Sequence, residues 1–274
     1  MQQKMRYLAV PAVAVALATA GMGVSTAQPT TQRAVPGQTA PTQAADWSYL
    51  GRTGPAHWGK LGYPTCAKGT TQSPINITRT TSRRLADARF AYGKVSLSLV
   101  DTGHGVNVAP VGGQLPRTVK LGGIEYTFAQ FHHHSPSEHQ VNGMNYPAEM
   151  HFVNKAANGD LAVFGVFFKG GGATNRAWKP VIDVITQATK DPKATKARAD
   201  LSTLLPKDRR SYQYRGSLTT PPCSEGVAWT VFTTPVVLSD QQLSDVMEAY
   251  QGNARPVQAL NGRRVLFDTT SCHR

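Results

Sequence analysis

The segment Gln130-Phe131-His132-His133-His134-Ser135 sets two imidazoles two residues apart, and Glu149-Met150-His151 repeats that spacing with a carboxylate and a third imidazole. Side chains two apart on a β-strand leave the same face. On neighbouring strands His132, His134 and His151 would reach one point, with Glu149 beside it. Three neutral nitrogen ligands and one open position form the donor set of a catalytic zinc site, whereas a structural site closes the fourth position, usually with Cys. His133 falls on the opposite face and is expected to be a bystander rather than a ligand. The run lies inside an apolar-patterned region far from either terminus, which argues against a tag remnant.

The elements that must carry these residues read mostly as strands. Residues 95–100, 105–108 and 123–128 alternate apolar and polar, as half-buried strands do. Residues 161–168, LAVFGVFF, are almost entirely apolar and fit a central strand buried on both faces. Residues 227–232 form a further strand, and Gly, Pro and Asn punctuate the intervals. Helices are few. Residues 178–189 show helical apolar spacing at Val181, Ile182 and Ile185, and Ser239 with Gln242 reads as a capping box opening a helix to about Tyr250. The expected fold class is mainly β (α+β), with small peripheral helices.

The chain begins like a secretory leader. Lys4 and Arg6 precede a mostly apolar stretch, and Ser25-Thr26-Ala27 fits a small-residue cleavage site, so residues 1–27 are read as a signal peptide. The apolar stretch falls short of the ~20 residues that a spanning helix needs, so cleavage is favoured over an anchor and no transmembrane span is expected. Residues 28–45, rich in Gln, Thr, Pro and Ala, read as a flexible linker. Residues 46–270 then form one domain, long enough for a substantial core. The formal charge is +13, and loss of Lys4 and Arg6 leaves 13 − 2 = +11. The basic residues are scattered and not interleaved with aromatics, which points to a solvated basic surface and away from nucleic acid. Export favours disulfides. Cys66 and Cys223 both lie in Gly/Pro-rich loop sequence and are expected to pair, which leaves Cys272 as the odd cysteine. A secreted or periplasmic, cell-envelope location follows, with free and envelope-retained forms both open.

The chain closely resembles the α-class carbonic anhydrases, the secreted bacterial type in particular. The resemblance runs through Trp47-Ser48-Tyr49, Gly54-Pro55-Ala56-His57-Trp58, residues 72–76 (QSPIN), Gly103-His104, residues 130–139 and 148–151 (AEMH), residues 216–222 (GSLTTPP) and 253–256 (NARP). It implies a large central, mostly antiparallel twisted sheet with zinc at the floor of a conical cleft, and a bridge between Cys66 and Cys223. It implies reversible hydration of carbon dioxide to bicarbonate and a proton, by attack of zinc-bound hydroxide.

Residue by residue, the resemblance makes His132, His134 and His151 the ligands of Zn2+. Gln130 and Glu149 become the partners of His132 and His151, and the carbonyl of Asn253 that of His134. His139 and Tyr214 match a buried polar support behind Glu149. Thr219 and Glu138 match a gatekeeper pair that orients the nucleophile, and the Thr219 N–H and Thr220 hydroxyl are expected to contact bicarbonate. Val153, Val163, Leu218, Val227 and Trp229 match an apolar wall for carbon dioxide. His104 matches the proton shuttle, and its unperturbed pKa near 6.5 suits relay to buffer. Tyr49 and Asn107 match residues that hold water in the cleft, and Thr102 stands where the family often has Asn. His133 departs from the pattern, since the family usually has an aromatic or apolar residue there.

Two other function classes compete. A carbonic-anhydrase-like binding module without catalysis would typically lack one or more ligand histidines, yet all three are present here together with Thr219, Glu138 and His104. A zinc hydrolase of another substrate class is opposed by the absence of His-Glu-x-x-His. The oligomeric state is left open by the sequence, a homodimer included.

Overall fold

The computed structural model describes residues 46–270 except 86, 113–116 and 189–195. The expected leader, linker and Cys272 lie outside the described residues, as does Thr189 at the end of the expected helix. Among the described residues no helix is long and apolar enough to cross a membrane.

The described residues build a sheet of thirteen strands. Its main path runs Lys196–Asp200, Lys94–Asp101, Val106–Pro110, Ile124–His134, Ala148–Ala156, Leu161–Lys169, Glu225–Phe232, Ser211–Ser217, Leu266–Asp268, Thr81–Arg83. Most pairings are antiparallel. The exceptions join Leu161–Lys169 to Glu225–Phe232 and to Val236–Val237, and Leu266–Asp268 to Thr81–Arg83.

The apolar run of the Leu161–Lys169 strand is explained by its central place, because both of its faces are covered. Phe164, Val166 and Phe168 enter a core with Met150, Phe152, Trp178 and Ile182. Val163 and Phe167 enter a second cluster with Val153, Val227, Trp229 and Val231. The helix Lys179–Ala188 caps the first core with Val181, Ile182 and Ile185, the three positions whose spacing predicts it. The helix Asp240–Ala249 opens with the expected box: the Ser239 hydroxyl accepts from Gln242 N–H, and the Gln242 side chain reaches back to the Ser239 backbone.

The expected strand over residues 123–128 does not stop where its alternation ends. It runs on as one element, Ile124–His134, into the histidines. A register irregularity opposite Val153 and Asn154 breaks the period-two pattern that sequence reading depends on.

Candidate active site

Two antiparallel strands place the histidines. His151 lies directly opposite His132, and Glu149 opposite His134. Directly paired residues share a face, so Gln130, His132, His134, Glu149 and His151 all project to the same side. His134 and His151 are buried and His132 nearly so. One ring nitrogen from each of the three lies within 4.8 Å of the others.

Each imidazole is fixed by its other nitrogen. His132 Nδ1–H donates to Gln130 Oε1 at 2.9 Å, and His134 Nδ1–H to the Asn253 carbonyl at 2.7 Å. His151 Nε2 lies 3.1 Å from Glu149 Oε1, though off the line of a straight bond. Acceptor-only partners settle the tautomers, so a lone pair stays on Nε2 of His132, Nε2 of His134 and Nδ1 of His151. His134 Nε2 is buried and has no hydrogen-bond partner among the described residues. Burial and the neighbouring imidazoles hold His132 well below the usual histidine range, and burial brings His134 down to about 4. Burial lowers His151 too, against the pull of Glu149. Neutral, oriented and converging nitrogens, one of them orphaned, are what a divalent zinc-type ion requires.

The support is a chain of hydrogen bonds. Glu149 Oε2 accepts from the backbone N–H groups of Glu138 and His139, at 3.0 and 2.9 Å, and Oε1 from His139 Nδ1–H at 2.8 Å. His139 Nε2 then meets Tyr214 Oη at 2.7 Å, and Tyr214 Oη meets Ser73 Oγ at 2.8 Å. Burial alone would push the Glu149 carboxyl up, but His139, His151 and these bonds outweigh it, and it is held well below the usual carboxylate range. His139, Glu149 and His151 also bring ligand-type atoms within 4.8 Å of one another, but both oxygens of Glu149 are already spent on these hydrogen bonds.

Glu138 is buried under different terms. Its Oε1 accepts from the Arg255 backbone N–H at 2.8 Å, while Oε2 has no bond of normal geometry and lies 3.4 Å from His134 Nε2 and 3.8 Å from His151 Nδ1. Burial raises it to about 7, opposed by His151, the Arg255 amide and the Thr219 hydroxyl. Thr219 is 4% exposed and close enough for its hydroxyl to act on that carboxyl.

An apolar wall stands beside the histidines. Val153, Val163, Val227 and Trp229 belong to one cluster with Leu218 packed against it, and the Trp229 ring lies 4.8 Å from that of His151. The open side is a cleft of about 210 Å³ lined by Tyr49, Thr102, His104, Asn107 and Thr220 as well as His132 and His134. His104 stacks on Trp47, with ring centroids 3.8 Å apart and planes 15° off parallel. Burial lowers its pKa, and Asp46 and Asp101 resist the shift.

Cys66 and Cys223 are bonded, as expected, across 157 residues. His133 is buried on the reverse face, 1% exposed, and neither ring nitrogen makes a hydrogen bond of normal geometry. The backbone of Val246 lies near enough to favour its protonated form, yet burial dominates and brings it to about 4.

Two contributors lie in blocks that carry the resemblance but are given no role there. Arg255 is 2% exposed and donates to Gln72 Oε1, the Ser73 carbonyl and the Cys66 carbonyl, so the arm that holds Glu138 is tied to the disulfide loop. Trp47, the platform under His104, is one aromatic among several near the N-terminal end of the domain. A buried arginine is rare enough that sequence reading leaves it at the surface.

A twisted β domain with three converging histidines, a buried and hydrogen-bonded carboxylate and an apolar wall defines a metalloenzyme class. Residues 53–269 match the family model of eukaryotic-type carbonic anhydrases. A carbonic anhydrase of Klebsiella pneumoniae is 39% identical over 229 residues, covering 81% of this chain and 91% of that protein. The solved α-carbonic anhydrase of Thermovibrio ammonificans, complexed with the inhibitor sulfanilamide, is 40% identical with a TM-score of 0.73, covering 82% of this chain and 100% of that one. Dioscorin complexed with ascorbate has a TM-score of 0.74 at 31% identity, covering 82% and 98%. The chain belongs to the α-class carbonic anhydrase family and is an enzyme of that class.

Proposed function

We propose that this chain interconverts carbon dioxide and water with bicarbonate and a proton at a zinc ion held by His132, His134 and His151. The observation that carries the reading is the convergence of three neutral ring nitrogens, with the opposite nitrogens of His132 and His134 hydrogen-bonded and that of His151 set 3.1 Å from Glu149 Oε1. Zinc brings the pKa of a bound water to about 7, a value known for carbonic anhydrases themselves and not obtained from this chain.

The residues do the rest. Gln130, Glu149 and the Asn253 carbonyl hold each ring in its tautomer. His139 and Tyr214 stiffen Glu149 from behind. The Thr219 hydroxyl would donate its hydrogen bond to the ionised Glu138 carboxylate, so its oxygen could only accept from the nucleophile, and a lone pair would thereby be aimed at the substrate. Carbon dioxide is apolar and settles against Val153, Val163, Leu218, Val227 and Trp229. The Thr219 N–H and the Thr220 hydroxyl receive bicarbonate. Tyr49, Thr102 and Asn107 hold water between the floor and His104, which passes the proton from its perch on Trp47 to buffer. The Cys66–Cys223 bridge and the bacterial relatives support an exported, envelope-side enzyme.

Stopped-flow carbon dioxide hydration, with zinc determined on the same sample, tests this. One zinc per chain with fast hydration is the expected result. Full zinc without hydration would favour a binding module of the same fold, the reading to which dioscorin and its ascorbate complex lend weight. His104→Ala should lower turnover roughly 10²-fold in weak buffer and recover with added imidazole. Unchanged turnover in weak buffer would remove His104 from the proton path.

A further inference from the structure

We propose that the sheet face turned away from the histidines carries a second binding site, for a small organic anion with an apolar body. Strand alternation divides the two sites. Tyr214 pairs with Trp229 on the face that supports the histidines, while Arg215 pairs with Ala228 on the reverse, one step along from Thr230. On that reverse face lies a groove of about 600 Å³, well inside the ~300–1,000 Å³ of small-molecule sites.

Its lining combines cationic and apolar groups without any acidic residue. Arg83, Arg215 and Arg264 line it, and Ala228 and Ile124 supply apolar surface. Arg83 and Arg264 are exposed, and the bond that Arg83 receives from the Thr269 N–H at 3.3 Å goes to its backbone carbonyl, not its guanidinium. Arg215 spends one nitrogen on the Gly226 carbonyl at 3.2 Å. The carboxylate nearest in register, Asp268 opposite Arg83, is 2% exposed, and its Oδ1 accepts from the Leu85 and Thr270 amides. It is not part of the lining.

A second observation points to a ligand. Thr230 also lines this groove, is 2% exposed, and its Oγ1 has no hydrogen-bond partner among the described residues. A buried hydroxyl without a partner is uncommon and calls for an explanation. Guanidinium groups recognise planar oxyanions through paired donors. The apolar wall beside them selects an anion that brings its own apolar surface, such as an aromatic carboxylate. A bare inorganic anion would leave that wall in water, and a neutral apolar molecule would leave the arginines unanswered.

The probe is 2-naphthoate, titrated by calorimetry into the zinc-loaded protein and into protein stripped with a chelator. Saturable binding in both forms, weakened tenfold or more in the double variant Arg83→Gln/Arg264→Gln, is the expected result. 2-Naphthylmethanol, which lacks the charge, should bind at least tenfold more weakly, and Thr230→Val should weaken naphthoate by a smaller factor. The double variant should keep its hydration rate, which also reports its folding. Binding that vanishes with the metal would place the probe in the histidine cleft and overturn the proposal. Binding matched by inorganic phosphate, or unaltered by the double variant, would overturn it too. So would a dimer in sedimentation that the double variant dissociates, since a second copy would then cover the groove.

Discussion

Two buried carboxylates, joined by a hydrogen bond from the Glu138 backbone N–H to Glu149 Oε2, live under opposite rules. Glu149 is 0% exposed and both of its oxygens are engaged by donors. Glu138 is 1% exposed, and one oxygen is bonded while the other looks at His134 and His151 without a donor of normal geometry. The first is held ionised, and the second is raised to about 7. Desolvation is common to both, so the two imidazoles that act on Glu149, His139 and His151, by charge first and by hydrogen bond second, decide the difference. Unsatisfied polar atoms in a native interior need a cause. Here His134 Nε2 and Glu138 Oε2 are 3.4 Å apart and share one, the point at which the imidazoles converge. Glu149 builds the site, and Glu138 faces what the site holds.

The largest break in this contrast comes from removing the point itself. His151→Ala should abolish zinc binding and hydration together, read by metal content and stopped flow on one sample. Retained activity without zinc would sink the assignment of the centre. The carboxylates can then be set against each other. Glu149→Gln loses the ionised acceptor behind His151 and should weaken zinc affinity by about 10–100-fold. Glu138→Gln should leave zinc affinity near normal and lower kcat by roughly 10²-fold, as a misplaced nucleophile does. Equal losses of zinc affinity in the two variants would erase the distinction.

Much of this is legible in the sequence. The i, i+2 spacing of His132, His134, Glu149 and His151 is a strand signal with a strict period, and the strands obey it. The apolar run at 161–168 and the capping box at Ser239 follow from burial and from unpaired helix N–H groups, which are local rules. Arg255 and Trp47 were not legible as parts of the site, because their roles depend on contacts 117 or more residues away for Arg255 and on a stacking geometry for Trp47. Composition assigns arginine to the surface and says nothing about which backbone amide it will steady. Thr219 alone reads as a turn residue before Pro221, and only its neighbourhood with Glu138 gives it a chemical part.

The buried imidazoles also make the metal-stripped protein sensitive to acid. An unfolded histidine titrates near 6.5, while His133 and His134 are brought down to about 4 and His132 and His151 are lowered as well. Between those limits the unfolded chain binds protons that the folded chain refuses, so stability falls as pH drops from 6.5 towards 4. The loss should be on the order of 3 kcal/mol for each of His133 and His134. Urea midpoints of chelator-treated protein at pH 7.5, 6 and 5 should decrease in that order. Bound zinc should delay the fall, because it occupies three of the four imidazoles. A flat profile would mean that these rings take up protons without opening the fold.

His133 gives the smallest effect and the sharpest separation of structure from chemistry. It sits in sequence between two of the converging histidines and faces away from both. Its ring is desolvated, and neither nitrogen has a well-formed partner. Such a group weakens a fold by about 1–3 kcal/mol relative to a satisfied or apolar one. His133→Phe should raise the urea midpoint at unchanged slope, a gain of about 1 kcal/mol once the extra ring volume is accommodated. Zinc content and hydration should not move, since the ring lies across the sheet from the convergence point. A loss of stability would show that the Val246 backbone is a genuine partner of the imidazole. A change in zinc affinity would show that the two faces of this strand are coupled through its backbone.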